Sequence, residues 1–486
     1  MALGEIDYGL MGVVGGLTAF IVFFFNIMSG AVGRFYAIAI GKASVAEDQQ
    51  AGLEECRKWF SLAVSIHLII PMAIMLIGYP VGVWAVENFL TIPVDRVSAC
   101  IWVFRFVCVS CFLGMVSVPF NAMYGAKQYI AELTIYSFVT STLNVVFVYF
   151  MVSHPGVWLV QYALWTCLLS VVPQIIIATR ACWIFPECKF RLAYAWNWRM
   201  YKEMLSYTGW NIFGTLGYLL KGQGISVLVN KYFGPKVNAS MAIANTVSAQ
   251  TMTLTGAMQG AFSPAITGAI GAGQMDKARA LAFRFCKFGL VLSALFMIPL
   301  ALELPMILRL WLKNPPQYAL GLCWLAMLMS FVDQNTLGHA VALMAFGRIK
   351  WYQIVCGTFT ILALPVAWLF CILGFNVYYV SVGVLLAWLF VAYGRLFFAK
   401  VILGMDIEYW ALKIMAPILI VSCATAIAGW GLRCCFDESG LRVGLTILLC
   451  FFVYVPLSWL FILDREERTY VSDLIKRFSH VNAIKG

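Results

Sequence analysis

The stretch GYLLKGQGISVLVN, residues 217–230, sets Lys221 inside an otherwise apolar run, flanked by Gly217, Gly222 and Gly224 and close to Gln223. A charge near the middle of an apolar span costs about 2.5–3.5 kcal/mol on insertion scales, so this lysine needs a use or a partner. The glycines and Gln223 suggest a loosened helix beside a wet cavity, where an ammonium acts as a point charge for an anion. Arg34 and Arg105 are stranded in apolar surroundings in the same way, and a guanidinium grips a phosphate bidentately. Together the three cations make a candidate headgroup site in a cationic cavity. Each also has a plainer reading. Lys221 could pair with Asp333, and Arg34 and Arg105 could snorkel to opposite membrane surfaces.

A second constellation lies in SFVDQNTLGHAVAL, residues 330–343. On a helix Asp333, Thr336 and Ala340 share one face, while Asn335 and His339 share the next. Asp333 is the one carboxylate that the apolar pattern puts deep in a span. With His339 nearby it could bind a coupling proton or sodium ion, or serve as interhelical glue. Asn335 and Gln223 complete the polar lining expected of a cavity.

The elements that must hold these residues are legible in the composition. Of 486 residues 62% are hydrophobic and only 11% charged, with a mean hydropathy of +0.87. A soluble protein would carry about 25% charge. The apolar residues come in long runs, and a helix crosses the hydrocarbon core in about 20 residues. That template predicts an all-α multipass membrane protein with about thirteen spans. Transmembrane β-strands would be shorter and alternating. No basic residue precedes the first apolar run, so no cleavable signal peptide is expected. The 15 cysteines fall mostly singly inside spans, where they act as small apolar side chains. The four histidines lack metal-ligand spacing, so neither a metal nor another cofactor is expected beyond a coupling ion. Connections between spans are short. A membrane polymerase or ligase would need a sizeable loop for its chemistry, which argues against an enzyme.

Most of the 33 Lys and Arg fall on alternate connections. The positive-inside rule then places the richer set in the cytoplasm, with the C-terminal tail. Arg395 and Lys400 count with that set, and Arg433 and Arg442 with the outer one. The net charge of +11 is accounted for by a cytoplasmic face meeting anionic headgroups, with no nucleic-acid partner.

The chain also repeats itself. Met28, Gly30, Ala31, Ala39, Ile40 and Gly41 recur at one constant offset as Met258, Gly260, Ala261, Ala269, Ile270 and Gly271. MYGAKQY at 123–129 recurs approximately as AFGRIKWY at 345–352. Equivalent positions share one orientation, so the halves should be related by an axis along the membrane normal. This divides the chain into an N-terminal lobe at 1–185, a linker at 186–204, a C-terminal lobe at 205–403, two further helices at 404–463 and a tail at 464–486. The linker should be amphipathic, with Trp196 and Trp198 at headgroup level, and the tail a short solvated helix. Pro173 and Pro264 should kink their helices. The helix holding Lys221 has no counterpart in the N-terminal lobe. The expectation is that a first helix is absent from this chain, Met1 being a misplaced start or a true truncation.

DYGLMGVVGG (7–16), FLTIPVDRVSACIWVFRF (89–106), SVPFNAMYGAKQY (117–129), LVNKYFGPKVNASMAIA (228–244) and ILRLWLKNPPQY (307–318) resemble the polysaccharide flippases of the multidrug/oligosaccharidyl-lipid/polysaccharide exporter superfamily. The likeness is greatest to the lipopolysaccharide, O-antigen and capsule-repeat subgroup, whose fold has two lobes plus two C-terminal helices. It implies flipping of an undecaprenyl-pyrophosphate-linked oligosaccharide from the cytoplasmic to the periplasmic leaflet of the bacterial inner membrane. Alternating access would drive it, with proton or sodium coupling and a polysaccharide polymerase as pathway partner. The lipid-linked oligosaccharide and membrane lipids would be its ligands. The alternative within the superfamily is a cation-coupled drug or metabolite exporter, which would want carboxylates in its cavity.

Overall fold

A computed structural model describes residues 19–45, 49–89, 92–154, 156, 158–312 and 314–469. Of the stretches that carry the resemblance, DYGLMGVVGG lies outside the described residues. The chain is all-helical where described. Helices α1 (Ala19–Ala43), α2 (Gln49–Trp84), α3 (Val97–Ala126), α4 (Ile130–Ser153) and α5 (Leu159–Ile184) come first. Then α6 (Trp198–Leu219) runs through a π-helical turn at Leu220–Gly224 into α7 (Ile225–Phe233). They are followed by α8 (Pro235–Gly271), α9 (Met275–Leu312), α10 (Ala319–Phe346), α11 (Lys350–Ile372) and α12 (Val377–Leu403). The last pair, α13 (Ala416–Cys435) and α14 (Gly440–Phe461), follows a π-helical turn at Trp410–Met415. Among the described residues ten helical segments are long and apolar enough to cross a membrane. The protein is therefore a multipass membrane protein. Helices α1, α8 and α10 are not among these ten.

The chain forms two compact units. One takes the residues up to Ile212 together with Ser263–Ala278, and the other takes Phe213–Phe262 and the residues from Arg279 onward. The crossings fall within α6, α8 and α9, and Pro264 sits beside the one in α8. The linker lies wholly in the first unit. It has two 3₁₀ turns, Pro186–Cys188 and Leu192–Tyr194, and ends in the first turns of α6. Polar contacts tie it down: Lys127 Nζ to Glu187 Oε1 at 2.6 Å, Arg57 Nε to the Pro186 carbonyl at 3.0 Å, and Tyr194 to Glu54. Trp196 and Trp198 are exposed.

In the first unit α3 packs on α1, α2 and α5, around Val86, Phe104, Cys108 and Leu159. The end of α8 lies against α1 through glycines. A Cβ on Gly41 would collide with the Gly268 carbonyl, and one on Gly271 would lie 2.7 Å from Ile38 Cα. Under the sequence repeat Gly41 corresponds to Gly271, and Ile38 to Gly268. The contact is thus reciprocal, each partner meeting the equivalent of its own neighbour, as a two-fold axis demands. Close approach of this kind is what small residues provide between membrane helices.

In the second unit α12 packs on α10 and α11, around a core that includes Val229, Leu304, Cys323, Ala363 and Val380. The α13–α14 pair lies on α9 through Leu290, Ala294, Trp410, Ile418 and Tyr454. Beyond α14 the tail is held to α9 as well. Lys287 Nζ lies 2.5 Å from Glu467 Oε2, and Glu467 is buried. The first residues of the tail are therefore packed, contrary to the solvated helix expected from their charge.

Candidate functional site

Lys221 owes its position to the glycines around it. A Cβ on Gly217 would lie 2.8 Å from Thr360 Cβ, and one on Gly224 would lie 2.8 Å from Leu364 Cδ1. A Cβ on Gly214 would collide with the Gln353 amide. These glycines let α6 and α7 lie directly on α11, and the π turn between them carries Lys221. Such turns insert an extra residue into the helical ladder and redirect a side chain. The side chain of Gln223 lies outside the described residues.

The amine of Lys221 lies 3.7 Å from the centroid of the Trp388 ring and 3.4 Å from Met329 Sδ. Trp388 is buried and packs edge-on to Tyr218, with centroids 5.1 Å apart. A desolvated cation–π contact contributes about 2 kcal/mol, which falls short of the 2.5–3.5 kcal/mol or so that a buried lysine costs. Trp388 therefore offsets much of the burial of Lys221 but not all of it.

Asp333 does not supply the balance, because another cation holds it. Arg395 Nη1 donates to Asp333 Oδ1 at 2.7 Å, to the Asp333 carbonyl at 3.3 Å and to Thr336 Oγ1 at 3.1 Å. Its Nη2 donates to Tyr218 Oη at 2.8 Å. Both Asp333 and Arg395 are buried. Sequence reading placed Arg395 with the cytoplasmic charges because Lys400 follows five residues later. The structure corrects this: α12 carries Arg395 inward to meet α10.

Lys221, Asp333, Trp388 and the methionines Met241, Met252 and Met329 line one cavity in the second unit, with a volume of about 190 Å³. Ser381 also lines it, and its buried hydroxyl has no hydrogen-bond partner. The lining carries no carboxylate besides Asp333.

The other expected site residues lie elsewhere. His339 is fully buried, with its ring edge-on to Phe283 and Trp410 at 5.7 and 5.4 Å between centroids. Its Nδ1 lies 3.4 Å from Cys286 Sγ. Asn335 donates to Met415 Sδ at 3.1 Å. Both face away from the cavity that Asp333 lines, as their positions on the neighbouring helical face require. Arg34 belongs to the first unit, its guanidinium 4.7 Å from the Tyr207 ring centroid and 5.0 Å from that of Phe35. Arg105, also in the first unit, is exposed; its Nε donates to Tyr79 Oη at 3.1 Å, and Trp102 lies 4.7 Å away. Neither arginine lines the cavity around Lys221.

Sequence reading also missed a buried carboxylate. Glu303 on α9 is fully buried and accepts from Arg442 Nη2 at 3.0 Å and Thr446 Oγ1 at 2.9 Å. Arg433 Nε lies 3.8 Å away. The signal was present: an outer-side Arg442 within α14 needs an acidic partner on a neighbouring helix.

No family model and no curated protein matches the chain. Solved structures do. One is described as the outward-facing conformation of a multidrug resistance MATE family transporter of the MOP superfamily. It is 14% identical with a TM-score of 0.68, over 82% of this chain and 91% of that one. A MATE structure in complex with MaL6 matches at 15% identity and a TM-score of 0.66, over 83% and 91%. A third is a MOP superfamily transporter from Pyrococcus furiosus, at 14% identity and a TM-score of 0.62 over 82% and 91%. Reverse polarity of its binding pocket is said to suggest a different function. The fold is that of these transporters.

These matches correct the reading as a lipopolysaccharide or O-antigen flippase. The structures that the chain resembles are MATE transporters, not polysaccharide flippases. The lipid-linked oligosaccharide and the polysaccharide polymerase partner fall with that reading. The physical reason lies in what the quoted stretches encode. Where described, they form helix ends and the short connections between helices, which do not specify cargo.

Proposed function

We propose that the chain is a cation-coupled secondary exporter of drug- or metabolite-sized molecules, working by alternating access between two pseudo-symmetric lobes. Its frame would be thirteen spanning helices in a bacterial inner membrane, with the C-terminus in the cytoplasm, the side to which the Lys and Arg distribution points. The observation that carries the reading is a transporter fold with a charged cavity inside one unit, lined by Lys221 and by Asp333, whose carboxylate is bound by Arg395. Asp333 is the residue we assign to ion coupling. A proton or sodium ion bound there would weaken the ion pair with Arg395, which links ion binding to the packing of α10 against α12. His339, enclosed by aromatic rings, is left a packing role.

The reading is tested in bacteria stripped of their own exporters and loaded with a panel of fluorescent drugs and labelled metabolites. Cells expressing the chain should extrude at least one compound faster than vector controls. Extrusion should stop when a protonophore or a sodium ionophore collapses the coupling gradient. Equal retention of every compound, with the protein present in the membrane, would refute it.

A further inference from the structure

A site for an organic cation needs an open aromatic face and a free carboxylate. The cavity of the second unit has both groups, and both are already taken by the protein's own cations. Lys221 Nζ occupies the face of Trp388 at 3.7 Å. Arg395 holds the Asp333 carboxylate at 2.7 Å. A cationic ligand would have to evict one of them, and would meet the positive charge of Lys221 in any case.

An anion meets the reverse situation. With Asp333 and Arg395 cancelling, the charge left on the lining is that of Lys221. An ammonium has three donors, and that of Lys221 meets the thioether of Met329, a weak acceptor, at 3.4 Å. Ser381 adds a buried hydroxyl without a partner, and Asn245 a side-chain amide. Ser248 and Ser330 bond to each other and Tyr218 accepts from Arg395, and much of the remaining wall is apolar, with Ile225, Met241, Met252 and Leu322. A volume of about 190 Å³ is below the roughly 300–1,000 Å³ of a drug-sized pocket, so it suits one ring and its acid group.

We propose that this cavity binds a small amphipathic organic anion, an aromatic carboxylate or sulfonate, with its acid group on Lys221 and Ser381 and its ring among the methionines. The proposal rests on the exporter reading and adds to it the class of substrate. Arg395 becomes a specificity-determining residue, because it removes the carboxylate that a cation would seek.

The test uses two single-ring probes whose charges are fixed at any working pH, benzenesulfonate and benzyltrimethylammonium. Binding is measured on the full chain in nanodiscs by saturation-transfer NMR and calorimetry. The wild type should prefer the sulfonate. Lys221→Met, which keeps the length of the stem, should weaken sulfonate binding roughly tenfold to a hundredfold, the loss of a charged hydrogen bond. Lys221→Glu should reverse the preference. Equal or tighter binding of the ammonium by the wild type overturns the proposal, and that comparison needs no variant to fold. Unchanged sulfonate binding in Lys221→Met overturns it too. If the sulfonate binds as stated but cells extrude nothing, the anion site stands and the exporter reading fails. If cells extrude cations while the wild type ignores the sulfonate, the anion proposal fails and the exporter reading stands.

Discussion

Arg395→Met is expected to destabilise the protein by about 3–5 kcal/mol, the cost of breaking a buried ion pair by removing one partner. The guanidinium is buried and makes four hydrogen bonds to Asp333, Thr336 and Tyr218. Without it the Asp333 carboxylate loses the buried cation hydrogen-bonded to it. Replacing both members should cost far less, because a buried pair exchanged for apolar residues of similar volume is often neutral or better. Asp333→Leu with Arg395→Met should therefore recover most of the loss. A double-mutant cycle on thermal unfolding in detergent measures the coupling. A single variant as stable as wild type, or a double variant no better than the single, would show that the pair does not hold α10 to α12. The double variant should also lose gradient-driven transport while remaining folded, since it lacks the carboxylate assigned to coupling.

Glu303→Leu should have an effect of similar size for the opposite charge. It removes the acceptor of Arg442 and Thr446 and the neighbour of Arg433, leaving two positive charges between α9 and the α13–α14 pair. Arg442 is only 5% exposed, so water cannot replace the carboxylate. A loss of about 3–5 kcal/mol follows from the same argument. The α13–α14 pair should loosen but not detach, because Leu290, Ala294, Trp410, Ile418 and Tyr454 still pack it on α9. Hydrogen exchange should rise in α13 and α14 and stay low in α10 and α12. Adding Arg442→Met should restore part of the stability. Uniform exchange across the whole second unit would mean that Glu303 supports the global fold and not this one seam.

Much of the helical frame was legible because burial in lipid forces backbone hydrogen bonds to close within each segment. Apolar runs then have one regular way to fold. The repeat was legible for a related reason: Gly41 and Gly271 tolerate no side chain where α1 meets α8, so a small-residue pattern survives in both halves. Lys221 was visible since nothing near it in sequence could excuse its charge. Arg395 and Glu303 were not, because each lies a few residues from a helix end that carries other charges. Only packing tells a snorkelling side chain from a buried one. The partner of Asp333 was not legible for the same reason. The sequence offered Lys221 as its partner, while Arg395 comes from a helix about sixty residues further along.

The cargo was the least legible feature. Stretches such as FLTIPVDRVSACIWVFRF and ILRLWLKNPPQY record how helices enter and leave the membrane. What a cavity accepts depends on which charges inside it remain uncompensated, and that is set by side-chain geometry across several helices.

Gradient-driven export is tested most directly by transport itself. The full chain, reconstituted in liposomes with an imposed proton or sodium gradient, should move labelled single-ring organic ions against their own concentration. An ionophore that dissipates the gradient should stop the movement. Liposomes holding the folded protein that accumulate these ions no faster than protein-free liposomes, under either gradient, would contradict it.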